Sequence, residues 1–490
     1  MLWIPRTICR TTLVRVFVGL LLIGSGNTLP AQAVNSANST TTQIDKSISL
    51  GSRRELLLDS HLVESLSNAQ LKLHVPEARD VALVCDSPWE GNTSAYFILF
   101  EDEGLFRAYY RGSHVLDGTQ TATHPEFTCY AESKDGITFT KPDLGLFEFE
   151  GSKHNNIILT STEATHNFAP FRDSNPAATP NSRYKALALT VVKKNGKNQS
   201  GLQAWQSPDA IHWSLMRDEP VISNGAFDSQ NLAFFDPQIG AYRAYWRYFS
   251  DGDRVRAIRT ATSKDLLNWE NEHDLVYEDS PSEHLYTNAI QPLPDAPHLL
   301  IGFPTRFQPK TEQVEPVFMS SRNGVTFRRW SQALIPITAP KDRDGNRSNY
   351  MAAGMITLPS EPGLVSVYAK EAYYKGPGSR IRRFVFRRDG FVSVHAEQSG
   401  GLITKPVTFT GDHLHLNVRS QGISRAELQD AKGTPLPGFT LNDCQPIQGD
   451  SIDHVVTWSG GSLKPLNGQP VRLRVELDQA DLFALQFRDK

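Results

Sequence analysis

Cysteine, one-sided charge and long apolar runs are all scarce in this 490-residue chain. Each scarcity excludes a class of protein. Four cysteines, with no Cys-x-x-Cys and no Cys/His ligand spacing, make neither a disulfide framework nor a zinc centre. Cys9 falls in an N-terminal leader, and Cys85, Cys129 and Cys444 remain: Cys85 and Cys129 pair if their strands adjoin, or all are buried thiols. A net charge of −3 with no long basic run argues against a nucleic-acid backbone as partner. No metal or cofactor is expected. Helical periodicity is missing as well, which excludes coiled coils and helical solenoids. What the chain does hold is 34 glycines, 30 prolines and 10% aromatic residues, a globular composition rich in turns.

The first 33 residues read as a secretory signal. Arg6, Arg10 and Arg15 supply the positive start, Val16 to Ile23 the apolar stretch, and Ala31-Gln32-Ala33 the small-residue cleavage site. The apolar stretch falls short of the roughly 18 residues that span a bilayer, so cleavage and a secreted or periplasmic protein are expected, with no membrane partner afterwards; an uncleaved anchor is the alternative.

Four segments repeat: Tyr130-Ala-Glu-Ser-Lys-Asp-Gly-Ile-Thr-Phe139, Ala204-Trp-Gln-Ser-Pro-Asp-Ala-Ile-His-Trp213, Thr260-Ala-Thr-Ser-Lys-Asp-Leu-Leu-Asn-Trp269 and Phe318-Met-Ser-Ser-Arg-Asn-Gly-Val-Thr-Phe327. Each is a strand, a Ser-x-Asp/Asn turn and an aromatic. A weaker copy puts Arg387 at the serine position. Upstream of each turn lies a hairpin of short apolar and aromatic strands. The units are about 64 residues of four strands each, and five of them arranged radially make a five-bladed β-propeller. A β-sandwich array is the other solution. From about Gly400 short alternating strands read as an antiparallel β-sandwich. The expected organisation is a signal over 1–33, a linker over 34–55, a propeller over 56–399 and a sandwich over 400–490, all-β throughout.

In a propeller the innermost strand of each blade lines the channel, and its antiparallel partner returns to the same rim. That rim collects the residues before each inner strand: Trp89, Glu90 and Asn92; His166; Asp228 and Asn231; Tyr286 and Asn288; Tyr350. It also collects Arg111, Arg247, Arg306, Lys370 and Glu371 from the ends of the second strands. Asp102, Asp173, Asp236 and Asp295 go to hairpin turns at the opposite rim. Glu90, Asp228 and Glu371 are the candidate catalytic residues, because glycosidic hydrolysis needs two carboxylates facing each other across a cleft. Trp89, Asn92, Arg111, His166, Asn231, Arg247, Tyr286, Asn288, Arg306 and Tyr350 are the candidate substrate-binding residues. Aromatic rings suit sugar faces, and guanidinium groups suit an anionic sugar.

The Ser-x-Asp-Gly-x-x-aromatic blade ending and the propeller-then-sandwich order resemble the five-bladed glycoside hydrolases of the family 43 and family 32 type, over about Leu56 to Lys490. The resemblance implies a carboxylate at the first inner-strand start, matched in position by Glu90, with further Asp and Glu from later blades. The chain departs from those families in having Glu where Asp is usual, no Trp-x-Asn-Asp-Pro-Asn-Gly motif and no Glu-Cys pair. Phe171-Arg172-Asp173 looks like the Arg-Asp-Pro motif of family 32, but Ser174 follows and the register places Asp173 in a turn, so it is a reserve candidate. The expected function is an exported glycoside hydrolase acting on a polysaccharide or oligosaccharide, with an anionic sugar among the substrates considered and a carbohydrate as partner. The alternative is a non-catalytic carbohydrate-binding or cell-surface propeller; a lyase using His or Tyr is a third reading.

Overall fold

The repeated turn is the local unit from which the fold is built. In the computed structural model the carboxylate or amide oxygens of Asp135, Asp209, Asp265 and Asn323 each accept two backbone N–H groups at 2.8–3.0 Å. The preceding serine hydroxyls close the same turns, Ser133 accepting from Gly136 N–H at 2.9 Å. The next residue takes positive φ in all four copies: 70° at Gly136 and Ala210, 67° at Leu266 and 77° at Gly324. Short polar side chains thus satisfy the turn's own backbone, which is why Ser and Asp/Asn recur at these positions.

The structure describes residues 47–250, 254–278, 280–336 and 348–490. The expected leader and its cleavage site lie outside them. No α-helix occurs among the described residues. Five sheets form the propeller. Blade one holds Ala95–Asp102, Leu105–Gly112, Phe127–Ser133 and Ile157–Leu159; blade two Ala169–Arg172, Tyr184–Lys194, Lys197–Ser207 and Ser214–Leu215. Blade three holds Leu232–Asp236, Ala241–Phe249, Arg256–Ser263 and Trp269–Asp274. Blade four runs Gln291–Leu293, Ala296–Gly302, Gln313–Ser321 and Thr326–Ala333, with Thr305–Gln308 and Val276–Glu278 added at its edges. Blade five pairs Leu364–Glu371 and Arg380–Arg387 with Glu77–Val84 from the start of the ring, so strands from both ends close the circle.

Buried tyrosines join neighbouring blades through the repeated turns. Tyr109 of blade one donates to Ala210 O of blade two at 3.0 Å, Tyr245 of blade three to Gly324 O of blade four at 2.8 Å, and Tyr368 of blade five to Gly136 O of blade one at 2.5 Å. The positive φ turns these carbonyls toward the next blade. A phenol is long enough to reach them from an apolar core.

The C-terminal β domain is a nine-stranded sheet around a second core that includes Phe409 stacked on Phe487. The all-β class and the propeller stand as expected. The strand pairing differs from the expected boundaries. Ile48–Gly51 and Glu55–Leu56, placed in a linker, pair with Val407–Phe409 and Val471–Arg488, while Val63–Ser67 and Gln70–Leu73, placed in the propeller, pair with Val392–Thr404. Hydrogen-bonding partners far apart in sequence carry no local signal, so the N-terminal segment could not be assigned to the far domain from its own residues. A buried cluster ties it to blade four: Glu55, with no solvent exposure, contacts Arg53, Arg322 and His298 at 2.6, 2.9 and 3.0 Å. The three remaining cysteines are buried thiols.

Candidate functional site

A cavity of about 430 Å³ opens at the rim where inner strands begin and second strands end. It draws on all five blades or their connecting segments: Tyr96 and Arg111, His166, Asp228, Tyr286 and Phe307, and Tyr350 with Lys370. Its volume is that of a small-ligand site.

Asp228 is the exposed carboxylate on which the cavity's polar groups converge. Tyr96 and Tyr286 donate their phenols to it at 2.7 and 2.9 Å, His166 Nε2 lies at 3.0 Å and Arg247 at 3.9 Å. Burial opposes its ionisation, but the His166 hydrogen bond and charge, the Tyr96 phenol and Arg247 outweigh that and hold Asp228 far below the usual carboxylate range. Burial, followed by the Asp228 charge, pushes both phenols up, so they stay protonated and donate. Tyr96 is placed by a register shift in the first strand and by a φ of 57°, a backbone conformation a bulky residue rarely adopts. Tyr374, Ala372 and Asn349 also have positive φ, at 61°, 54° and 77°. Such strain clusters where surrounding structure holds side chains to a purpose.

His166 ends a short 3₁₀ turn, Glu163–His166, in which the Thr162 hydroxyl accepts from the Ala164 N–H. Its ring joins two carboxylates: Nδ1 lies 2.9 Å from Glu126 and Nε2 3.0 Å from Asp228. Burial lowers its proton affinity, but the hydrogen bonds to Asp228 and Glu126 prevail and raise it. For Glu126, burial raises and the His166 bond and Arg111 lower, with a net depression. Arg111 reaches Glu126 at 3.2 Å and lies over the Tyr96 ring at 5.2 Å. Spanned by one imidazole, the facing oxygens of Glu126 and Asp228 are at most about 8 Å apart, which does not exceed the widest separation of paired carboxylates in glycosidic hydrolysis.

Of the expected site residues, Arg111, His166, Asp228, Tyr286 and Tyr350 line the cavity, and Arg247 stands behind Asp228. The structure places the others elsewhere. Glu90 is buried in its own turn, where it accepts from Ser87 N–H, the Tyr110 phenol and Lys141 at 3.0, 2.5 and 2.6 Å. Glu371 is buried between Arg380 and Arg382 at 2.8 and 2.7 Å. Its neighbour Lys370 lines the cavity, and successive strand residues face opposite ways. Trp89 donates to Asn156 and packs edge-on against Phe149. Asn92, Asn231 and Asn288 are buried and donate to backbone carbonyls of Val115, Phe227 and Gln230. Their recurrence at inner-strand starts reflects a shared need to satisfy backbone groups there. Arg306 is paired with Glu283 and Glu315 at 3.1 and 2.5 Å. Asp173 holds Lys185 and accepts from Tyr242 at the hairpin turn, as its register implied. Among the described residues no group of three or more His, Cys, Asp or Glu side chains is arranged to hold a metal ion.

Tyr96, Glu126 and Arg256 were missed. Glu126 lies in the connection before Phe127–Ser133, where no repeat marks it. Arg256 begins the third strand of blade three, one strand farther out than the pair expected to reach the rim.

No family model matches the chain, and no curated protein matches it. Solved structures do. An N-acetylgalactosamine deacetylase from F. plautii, in complex with blood group B trisaccharide, matches at 12% identity and TM-score 0.45, covering 66% of this chain and 96% of that one. A thermostable family-43 glycoside hydrolase matches at 10% identity and TM-score 0.44, covering 65% and 95%. An endo-arabinase from Bacteroides thetaiotaomicron matches at 10% identity and TM-score 0.39, covering 62% and 96%. Similarity at this level assigns no activity, and the site is interpreted from its own geometry.

Proposed function

We propose that this protein is an exported glycoside hydrolase whose chemistry centres on Asp228. The observation that carries the reading is a carboxylate held by two phenols and an imidazole, exposed in a tyrosine-lined cavity. A carboxylate fixed in this form stabilises the positive charge that develops on the sugar ring in glycosidic cleavage, or attacks the anomeric carbon. Glu126 and His166 form the proton-carrying pair: the raised affinity of the imidazole keeps a proton between the two carboxylates, from which the leaving oxygen is protonated. Tyr286, Tyr350 and Tyr373 line the cavity with cations over their rings, Arg247 and Arg256 over Tyr286 and Lys370 over Tyr350 and Tyr373. The N-terminal leader supports export.

The test is hydrolysis of a glycan panel by the wild-type protein and by Asp228→Asn, with product release followed by chromatography. The expected result is cleavage of at least one glycan and a loss of about a thousandfold or more in the variant at unchanged melting temperature. Cleavage retained within threefold in Asp228→Asn, or no cleavage of any glycan by the wild type, overturns the assignment.

A further inference from the structure

Most cations at this rim already have an acid. Arg111 is held by Glu126, Arg247 lies 3.9 Å from Asp228, and Arg306 is neutralised by Glu283 and Glu315. Arg256 differs. Its guanidinium lines the cavity, and no carboxylate among the described residues lies within 4.0 Å of it. It lies over the rings of Phe307, Tyr286 and Phe249 at 4.5, 5.3 and 5.7 Å. Among the described residues its polar side-chain contact is His284 Nδ1 at 3.5 Å, and its Nε is buried without a partner. Burial, then the Arg256 charge, holds His284 below its ordinary pKa, and an imidazole carries no negative charge in either form, so it does not neutralise the guanidinium.

Stacking on aromatic faces fixes the plane of a guanidinium while leaving its N–H edge to a ligand, and such a fork matches a carboxylate or sulfate with two parallel hydrogen bonds. Tyr286 connects the two features: its hydroxyl donates to Asp228 and its ring lies beneath Arg256. We propose that Arg256 is the receptor for an anionic substituent, carboxylate or sulfate, on the sugar bound next to Asp228. The protein's substrate is then an acidic glycan. This rests on the hydrolase reading for the place of cleavage, while the anion contact is a binding property that can be measured without turnover.

The experiment measures both properties on three oligosaccharides of equal length: one with uronic acids, one sulfated and free of carboxyl groups, one neutral. Binding is measured by calorimetry with Asp228→Asn protein, with and without Arg256→Gln or Arg256→Lys, and hydrolysis with wild type. Arg256→Gln is expected to weaken binding of the uronic or the sulfated oligosaccharide by about tenfold to a hundredfold and of the neutral one by less than about threefold, with Arg256→Lys between. Which acidic oligosaccharide responds identifies the anion. Equal weakening of all three, no weakening of either acidic one, or binding confined to the neutral one overturns the inference. Selective anion binding without hydrolysis of any glycan leaves the inference standing and removes the hydrolase reading; hydrolysis of the neutral glycan alone does the reverse.

Discussion

Glu55→Gln keeps the shape of a side chain with no solvent exposure and removes its charge, leaving Arg322, Arg53 and His298 around a neutral amide. In the folded protein burial raises the Glu55 pKa, but the His298 hydrogen bond and the Arg322 charge outweigh this and bring it from 4.5 to about 2. A depression of that size corresponds to roughly 3 kcal/mol of folding stability, fully present above the unfolded pKa and lost as pH falls toward the folded one. About 2 kcal/mol of it is gone by pH 3. The assay is guanidinium unfolding of wild type and variant between pH 3 and pH 7, followed by tryptophan fluorescence. At pH 7 the variant is expected to be less stable by about 3 kcal/mol, in line with breaking a buried ion pair, and the gap narrows to about 1 kcal/mol at pH 3. A gap below about 1 kcal/mol at pH 7, or one independent of pH, refutes the argument that this cluster joins the N-terminal segment to blade four.

Two further outcomes follow from the same reasoning. Glu371→Gln removes the buried carboxylate that Arg380 and Arg382 contact and should lower stability by about 3 kcal/mol, while turnover per folded molecule stays within about threefold; a thousandfold loss at intact stability returns Glu371 to the chemistry. Glu126→Gln removes one of the two carboxylates that raise the His166 pKa, so His166 titrates at lower pH by NMR and the alkaline limb of the activity profile moves the same way. An unmoved His166 titration refutes the pairing.

The turn chemistry was legible because it is local. Ser133 and Asp135 bond to backbone groups two or three residues away, and three more copies at similar intervals spelled out the blades. The choice of rim was legible for the same reason, since antiparallel pairing follows from short hairpins. The identity of the second carboxylate was not. Glu90 and Glu371 sit at the right rim by position, yet one folds back on Ser87 and Lys141 and the other faces Arg380 and Arg382. Glu126 reaches the cavity from a connection with no periodic signal.

The sequence by itself determined the all-β class, the five repeated units, and a mouth containing Arg111, His166, Asp228, Tyr286 and Tyr350. Only the tertiary structure decided that Asp228 and Glu126 share His166, that Arg256 has no carboxylate partner among the described residues, and that residues 48–73 complete the C-terminal sheet. The division is physical. Turns and strand alternation are set by neighbours along the chain, whereas the facing of a side chain and the partner of a charge depend on segments brought together by closing the ring.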